Sequence, residues 1–387
     1  MRTKTKDIRF RKSHKSLDAI DAKILQALGT IGPRNVHEIA RELGMPTETV
    51  WYRIKRLHSR FSMFVQGNVY HTNVGLRKLI VFAEAFPGYE DVLYEGAKSN
   101  DYWIYLSQCL GGPTTCLGVY AIPDEHVEDF EKFMLRLEEL GIAKSTQTYW
   151  STSFQTVNLT LSWFNPDSNH WELAWDEWIE EVKNQDYTQE LPYTLLDPEE
   201  YDQKADYIDI FILKELEKNA AIRFSDLAKM LGTSIQNVRY HFENHIVKRK
   251  MLEGWQVLIP HFGKEGVETS FFLFDFENQK NLRTFASSLL NKPFARTVGK
   301  VFGDSKLFVQ VYLPRKEFRP FLEALSKIVK SGLLKSYKYV IQDLTKRQRQ
   351  TISFEFFENK KWVYAHEDYL KRAEEIANRF GLERTRF

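Results

Sequence analysis

The sequence predicts an α+β protein made of two copies of one unit, in which a helix-turn-helix domain precedes an α/β sandwich. Residues 20–54 align without gaps with residues 208–242, 188 positions further along the chain. After each aligned segment, strand-like and helix-like runs alternate in the same order. The chain has 387 residues, 43% of them hydrophobic, which is enough for several buried cores.

The positions matched by the repeat are mainly apolar residues at helical spacing, together with one glycine. Because both the spacing and the glycine are kept, the two segments are expected to share a fold. The matched pairs include Ile20 and Ile208, Asp21 and Asp209, Leu28 and Leu216, Gly44 and Gly232, and Val50 and Val238.

Helix signals in the first copy predict three short helices, over about 17–28, 36–43 and 46–60. Asn35 and Glu38 have the spacing of a capping box at the start of the second helix. Gly44 fits the left-handed residue that often ends a helix, and Pro46 fits the first turn of the third. A glycine-containing turn before a third helix is typical of a helix-turn-helix that reads a DNA groove.

The third helix of each copy is expected to present a polar outer face, the second such helix lying over 234–248. Thr233 and Gln236 have capping-box spacing at its start. Asn, Gln, Arg and Lys suit base edges, and Thr or Tyr suit phosphates, so we expect contact with double-stranded DNA. The alternative is that these side chains only form the solvent-exposed face of a helix. The candidates are Thr47, Glu48, Thr49, Tyr52, Lys55, Arg56, Arg60, Gln236, Asn237, Arg239, Tyr240, Asn244 and Lys248.

Charge is unevenly distributed along a chain whose formal net charge is only +2. Residues 1–16 form a basic arm that could follow phosphates, or could be a solubilising tail. Residues 165–205 carry twelve carboxylates against two lysines. Within them, Trp171, Trp175, Trp178 and Val182 form one stripe of a helix, which is expected to pack on its own half of the chain. The alternative use of this stripe is docking to a partner.

The segments LDAIDAKILQAL, from Leu17, and VHEIARELGMPTETVWYRIKRL, from Val36, resemble the DNA-binding domain of the Lrp/AsnC (feast/famine) regulators. The resemblance implies that each half continues as a ferredoxin-like βαββαβ sandwich. Family members usually carry one copy and dimerise, so two copies imply an intramolecular pseudo-dimer. The expected elements are strand 78–86, helix 89–99, strands 102–111 and 115–122, helix 124–140 and strand 143–151, then strand 268–276, helix 279–291, strands 295–303 and 307–313, helix 315–331 and strand 334–343.

The resemblance implies a sequence-specific DNA-binding transcription regulator of the cytoplasm, associated with the nucleoid. Helices 46–60 and 234–248 would occupy major grooves, and their different side chains predict an asymmetric site. The family's effector loop has a Gly-Asp-x-Asp pattern. Here Gly303–Lys306 and Gly112–Thr115 depart from this pattern, so a small-molecule effector is an open alternative and its identity is not predicted. Pairing of sandwich edge strands would allow homo-oligomers.

The expected domains follow from these patterns. A basic arm and first helix-turn-helix domain span 1–60, and a first sandwich spans 61–164. An acidic amphipathic helix and linker span 165–200. The second helix-turn-helix domain spans 201–250, the second sandwich 251–358, and a C-terminal helix 359–387.

Two other classes of protein fit the same pattern. Sirohaem decarboxylases resemble this regulator family, but their haem site uses histidine and arginine, with tyrosine, near the second sandwich strand. The corresponding stretches, 102–111 and 294–303, contain no histidine. A non-catalytic scaffold that binds protein through its helix-turn-helix units is the other alternative. Phosphate-binding glycine loops and nucleophile elbows are absent from the sequence, so the expectation is that the chain is not an enzyme.

Neither a metal nor a cofactor is predicted. His241 and His245 have the i, i+4 spacing of a metal-binding pair but lack an obvious third ligand. Cys109 and Cys116 flank a predicted hairpin turn and could form a redox switch, although two buried free thiols are the favoured interpretation. No apolar run is long enough to cross a membrane.

Overall fold

The computed structural model describes residues 16–184, 190–263 and 266–382. The first helix-turn-helix domain consists of α1 (Ala19–Thr30), α2 (Val36–Leu43) and α3 (Thr47–Phe61), followed by strand β1 (Phe64–Val69). The charged residues of the basic arm, from Arg2 to Lys15, lie outside the described residues.

The predicted helices of this domain agree with the structure to within two residues at each end. The side chain of Asn35 accepts a hydrogen bond from the backbone N–H of Glu38, which satisfies a donor at the start of α2. Gly44 ends α2 with a φ of 62°, a left-handed conformation that costs a glycine little. Pro46 is the N-cap of α3 and not part of its first turn.

The first sandwich and its linker follow the expected order up to its last strand. Residues 145–156 form one continuous strand, whereas the sequence suggested a strand over 143–151. The elements are β2 (Leu76–Glu84), α4 (Glu90–Lys98), β3 (Trp103–Leu110), β4 (Cys116–Pro123), α5 (Val127–Glu139), β5 (Ser145–Thr156), β6 (Phe164–Asn165), β7 (His170–Trp171) and α6 (Trp175–Asn184).

The second unit repeats this order. Its third helix begins as α-helix and continues as a π-helical turn, His241–Val247, and its N-cap is Ser234 and not Thr233. The elements are α7 (Tyr207–Lys218), α8 (Phe224–Leu231), α9 (Ile235–Tyr240), β8 (Leu252–Leu258), β9 (Val267–Asp275), α10 (Gln279–Leu289), β10 (Ala295–Val301), β11 (Lys306–Pro314), α11 (Arg315–Lys330), β12 (Ser336–Arg349), β13 (Phe357–Glu358), β14 (Lys361–Trp362) and α12 (His366–Arg379).

The two sandwich sheets join into one closed barrel of strand order β10-β11-β9-β12-β3-β4-β2-β5. The first part of β5 pairs with β2 of its own half, and its last part pairs with β10 of the other half. Strand β12 bridges β9 and β3 in the same way. This arrangement confirms the predicted α+β pseudo-dimer and explains why β5 is longer than expected. Since the barrel is closed, assembly of further copies would use other surfaces.

A second connection between the halves is the antiparallel ribbon formed by β1 and β8, with Phe64 opposite Leu258. Each strand follows its own helix-turn-helix domain, but α1 packs on β8 and α7 packs on β1, so the domains are crossed. Gly32, with a φ of 87°, lies against the Trp255 ring of β8, where a Cβ atom would come within 2.6 Å of the indole nitrogen. The ribbon therefore holds both helix-turn-helix domains on one shared support.

The acidic helix α6 packs on the second sandwich, so the prediction that it packs on its own half is wrong. Trp178 is fully buried against Phe285 and Phe294, with ring centroids 5.6 and 5.2 Å away. The matching face of the first sandwich is covered by α12, whose Tyr369 lies in the same core as Phe130. The halves thus exchange their terminal helices. Within the described ranges, no helix combines the length and apolarity required to span a bilayer.

Candidate nucleic-acid interface and ligand cavity

The outer face of α3 carries most of the residues expected from the first copy. Val50 and Leu57 are buried, and Tyr52 on the opposite side is 61% exposed. Trp51, which the sequence interpretation missed, is 56% exposed and its ring lies 5.2 Å from the Lys55 ammonium. Its spacing of four residues from Lys55 was the available signal. Glu48, Thr49, Lys55 and Arg60 are also exposed, whereas Thr47 is partly buried, its hydroxyl 3.3 Å from His37 Nδ1.

Arg56 is placed differently from the prediction, since it belongs to an internal ion-pair cluster. Its guanidinium pairs with Asp21, a fully buried carboxylate, and only 24% of the Arg56 side chain is exposed. Arg53 pairs with the same carboxylate at 3.0 Å and with Asp18 at 2.8 Å. Burial tends to raise the pKa of Asp18, but the hydrogen bonds from Arg53 and from the Asp21 N–H, together with the charges of Arg53 and Arg56, outweigh it and the pKa is lowered. Arg56 therefore joins α3 to α1, which argues against the expected contact with DNA.

The third helix of the second unit, formed by α9 and its π-helical continuation and called here the second recognition helix, exposes Gln236, Arg239, Tyr240, Asn244 and Lys248. Most of these line a shallow groove of about 330 Å³ together with Ile235 and Glu243.

Asn237 is partly buried, and its amide donates to the Thr233 hydroxyl at 3.1 Å, so it is engaged within the domain. The two outer faces differ in composition, as the sequence predicted, because Gln236 and Asn244 have no amide counterpart among the exposed residues of α3.

A cluster of potential metal ligands lies beneath the second recognition helix. Asp206 and Asp209 at the start of α7 face His241 and His245 in the π-helical turn, and one ligand atom from each lies within 4.8 Å of all the others. The sequence interpretation noted the two histidines and found no further ligand. The signal for the carboxylates was their capping-box spacing, repeated from Asp18 and Asp21.

A cavity of about 370 Å³ lies between the ribbon and the barrel. Lys78 and Glu253 form a buried ion pair at 2.5 Å in its wall, one from each half of the chain. Burial raises the pKa of Glu217 to about 7. Further lining residues include Gln66, Tyr105, Gln256, Gln310, Arg347 and Arg349. Because they come from strands far apart in the chain, sequence spacing gave no signal for this site.

His71 is the histidine in the cavity lining. Its Nδ1 lies 2.9 Å from the Val69 carbonyl, which assigns the ring proton to Nδ1. Burial holds the pKa of His71 well below its usual range, so the ring is neutral. Its buried Nε2 has no hydrogen-bond partner among the described residues, and it can accept a hydrogen bond from a bound molecule.

The fold and these sites define a protein that carries two helix-turn-helix domains on a pseudo-dimeric sandwich core. Residues 17–58 match the family model of the AsnC-type helix-turn-helix domain, and residues 206–244 match that of a winged helix-turn-helix DNA-binding domain. The resemblance to the Lrp/AsnC regulators is thereby confirmed. No curated protein matches the sequence.

Solved structures similar to this chain include a sirohaem decarboxylase and regulators of the AsnC family. The sirohaem decarboxylase NirDL is 10% identical, with a TM-score of 0.49, and the match covers 93% of this chain and 99% of that one. AsnC of E. coli is 18% identical, with a TM-score of 0.28, over 38% of this chain and 98% of its own. An AsnC-family regulatory protein from Pyrococcus furiosus is 19% identical, with a TM-score of 0.28, over 35% of this chain and 88% of its own.

The expectation that the chain is not an enzyme is corrected by these structures. NirDL, whose match extends over nearly the whole length of this chain, is an enzyme. The expectation rested on missing catalytic motifs and on two strands without histidine. Such motifs are local in sequence, whereas the cavity described above takes its side chains from both halves. The lack of local sequence motifs therefore does not exclude catalysis.

Proposed function

We propose that this chain is a sequence-specific DNA-binding transcription regulator of Lrp/AsnC type. The observation that carries the proposal is the pair of exposed, cation-bearing recognition faces, on α3 and on α9 with its π-helical continuation. Both are attached to one rigid β1–β8 ribbon, so the distance between them is set by the protein. If both faces enter major grooves as in dimeric helix-turn-helix proteins, they should lie ~34 Å apart, which is one helical turn of DNA, or a multiple of that distance.

The second face offers distinct groups for bases and for phosphates. Gln236 and Asn244 have amides suited to adenine edges, and Arg239 and Lys248 suit phosphates or guanine. Neither of these two cations has an ion-pair partner within the part of the chain that the structure describes. On α3, Lys55 and Arg60 supply the charge. The proposed contact set accordingly omits Arg56 and Asn237.

The salt dependence of DNA binding tests this assignment. We would select bound fragments from a random-sequence pool and measure their dissociation constants by fluorescence anisotropy at several salt concentrations. Arg239→Ala and Lys248→Ala should each weaken binding and reduce the slope of log K against log[salt] by about 0.9 for each phosphate that the variant no longer neutralises. Arg319→Ala, on an 89% exposed side chain of α11, is the matched control. Equal slopes in all four proteins would refute phosphate contact by these residues.

The shape of the binding site is a second test. Because the two faces differ, hydroxyl-radical footprints should show two protected segments with unrelated sequences. A site with perfect dyad symmetry would contradict simultaneous reading by the two helices.

We also propose that the central cavity binds a small molecule, as an effector or as a substrate. Its volume of about 370 Å³ lies within the usual range for ligand pockets, about 300–1,000 Å³. The unpartnered Nε2 of His71 favours a ligand with a hydrogen-bond donor, and Arg347 favours one with an acidic group. Since β1 and β8 form one wall, an occupant would contact the ribbon that holds both helix-turn-helix domains.

Native mass spectrometry of the purified chain would detect a co-purifying ligand. His71→Gln should weaken its retention at least tenfold, whereas His170→Gln, on an exposed histidine of β7, should not. Sirohaem, the compound named in the description of NirDL, is one probe. A shifted Soret band together with a decarboxylated product would favour an enzymatic function for this cavity. Equal retention by the His71 and His170 variants would remove His71 from the site.

A further inference from the structure

We propose that Asp206, Asp209, His241 and His245 bind one divalent transition-metal ion beneath the second recognition helix. The site goes beyond the proposed function, because it concerns how that helix is held and not what it contacts. Two imidazole nitrogens and two carboxylate oxygens suit Zn²⁺, and Co²⁺ is accepted by the same donor set.

The spacing of the ligand atoms fits a four-coordinate ion. With metal–ligand bonds of about 2.0–2.1 Å, the corners of a tetrahedron are about 3.4 Å apart. His241 Nδ1 lies 2.8 Å from Asp209 and 3.6 Å from Asp206, and His245 Nδ1 lies 3.0 Å from Asp209 and 4.0 Å from Asp206. These four nitrogen–oxygen separations bracket the ideal one, and the remaining pairs of ligand atoms lie within 4.8 Å of each other, so ligation requires side-chain shifts of about 1 Å or more for the widest pairs.

The carboxylates are held in place by the backbone of α7. Asp206 accepts hydrogen bonds from the N–H groups of Ile208 and Asp209, and Asp209 accepts one from the N–H of Asp206. Such outer contacts orient ligands before a metal arrives. Asp209 is fully buried, His241 is nearly so, and Asp206 is partly open to solvent, which provides a route of entry.

The first unit shows what otherwise neutralises this carboxylate pair. Asp18 and Asp21, the counterparts of Asp206 and Asp209, are faced by the guanidinium groups of Arg53 and Arg56, which are always charged. His241 aligns with Arg53 at the offset of 188. Arg56 aligns with Asn244, but the π-helical turn places the next residue, His245, against Asp209.

Two imidazoles replace two permanent cations in the second unit, so the buried carboxylate pair lacks a fixed positive charge of equal size. A divalent cation supplies that charge. It would also join the start of α7 to the recognition helix, as the two arginines join α1 to α3. Tyr240, whose ring lies 5.3 Å from that of His245, would be positioned by the same site. π-Helical turns are rare and are concentrated at functional sites, which agrees with this placement.

Direct metal titration of the full chain tests the proposal. Chelator-treated protein would be titrated with Co²⁺, whose visible absorption is intense when it is four-coordinate, and then with competing Zn²⁺. We expect one ion per chain, displaced by Zn²⁺, and a higher melting temperature with Zn²⁺. The double variant His241→Arg/His245→Arg, which reproduces the charges of the first unit, should fold and bind at least 100-fold more weakly. His170→Gln should bind normally.

Undiminished Co²⁺ binding by the double-arginine variant, or absent binding by the unaltered chain, would overturn the proposal. Should the arginine variant fail to fold, Asp206→Asn removes one ligand from the partly exposed edge, and it should still weaken Co²⁺ binding at least tenfold. The metal titrations are carried out without DNA, so they are independent of the DNA-binding experiments. A chain that binds metal but no DNA would therefore refute the proposed function alone, and the reverse result would refute the metal site alone.

Discussion

The buried ion pair between Lys78 and Glu253 should contribute strongly to the stability of the joined halves. Lys78 comes from β2 of the first unit and Glu253 from β8 of the second, and their side chains are 4% and 1% exposed. Glu253 also accepts hydrogen bonds from the Ser153 hydroxyl and, at 3.1 Å, from the Phe154 N–H. Replacing Lys78 by Met would keep most of the buried volume and leave this carboxylate without a counter-charge.

The expected loss follows from the burial of the pair. Removing one partner of a fully buried pair costs about 3–5 kcal/mol, because the remaining charge is uncompensated in a medium of low polarity. Glu253→Gln should cost a similar amount by leaving the ammonium of Lys78 unpaired. The double variant Lys78→Met/Glu253→Gln contains neither charge and should regain most of the loss, which a double-mutant cycle would report as strong coupling.

Urea denaturation at pH 7, followed by far-ultraviolet circular dichroism, measures these free energies. Lys144→Met is the matched control, since Lys144 pairs with Glu84 at 2.7 Å on the surface and should change stability by less than about 1 kcal/mol. A loss below about 1 kcal/mol for Lys78→Met, equal to that of the control, would refute the claim that the pair is buried between the halves.

Three other expectations follow from buried groups. The pKa of Glu217 is raised to about 7 from 4.5 by burial, so stability is lost as the pH rises through that interval. Glu217→Gln should remove up to about 3 kcal/mol of this loss, seen as an advantage over the unaltered chain that grows from pH 4.5 to 7 and then stays constant at higher pH. Trp178→Ala should cost about 3–5 kcal/mol in thermal or urea unfolding, and a loss under 1 kcal/mol would contradict the helix exchange. Burial raises the pKa of Cys109 and, to about 12, that of Cys116, so both thiols should resist a disulfide reagent at pH 8 until the chain unfolds. Rapid labelling of the folded protein would count against this burial.

The helix-turn-helix domains were predictable because their determinants are local. The cap at Asn35 and the left-handed turn at Gly44 depend on residues within one turn of helix. The apolar spacing that fixes α1 and α7 is likewise contained in a dozen residues, and it occurs twice. The order of strands and helices in each sandwich was predictable for the same reason.

Contacts between the halves were not predictable. The tryptophan stripe of α6 indicated that the helix has an apolar partner, but amphipathicity does not say which surface that is. The full length of β5 was not predictable either, because its last residues pair with a strand of the other half. The side chains of the cavity are far apart in the chain and meet only when the barrel closes.

At the site beneath the second recognition helix, a shift of one residue obscures the correspondence between the two units. An ungapped alignment pairs Arg56 with Asn244, and nothing in the spacing indicates that His245 takes its place. The π-helical turn shifts the register after His241, and only coordinates reveal it. Arg56 itself was assigned to the outer face from helical geometry alone, which cannot tell a flanking side chain from one drawn inwards by a buried carboxylate.

Covalent fusion of the two halves changes what a single mutation can do. In an assembly of identical subunits, every substitution occurs twice, and any change in one recognition helix is imposed on its symmetry mate. Here the crossed ribbon and exchanged helices keep the halves together while each is encoded separately. One unit therefore retains arginines against its carboxylates while the other has histidines, and the exposed faces of α3 and α9 differ in composition.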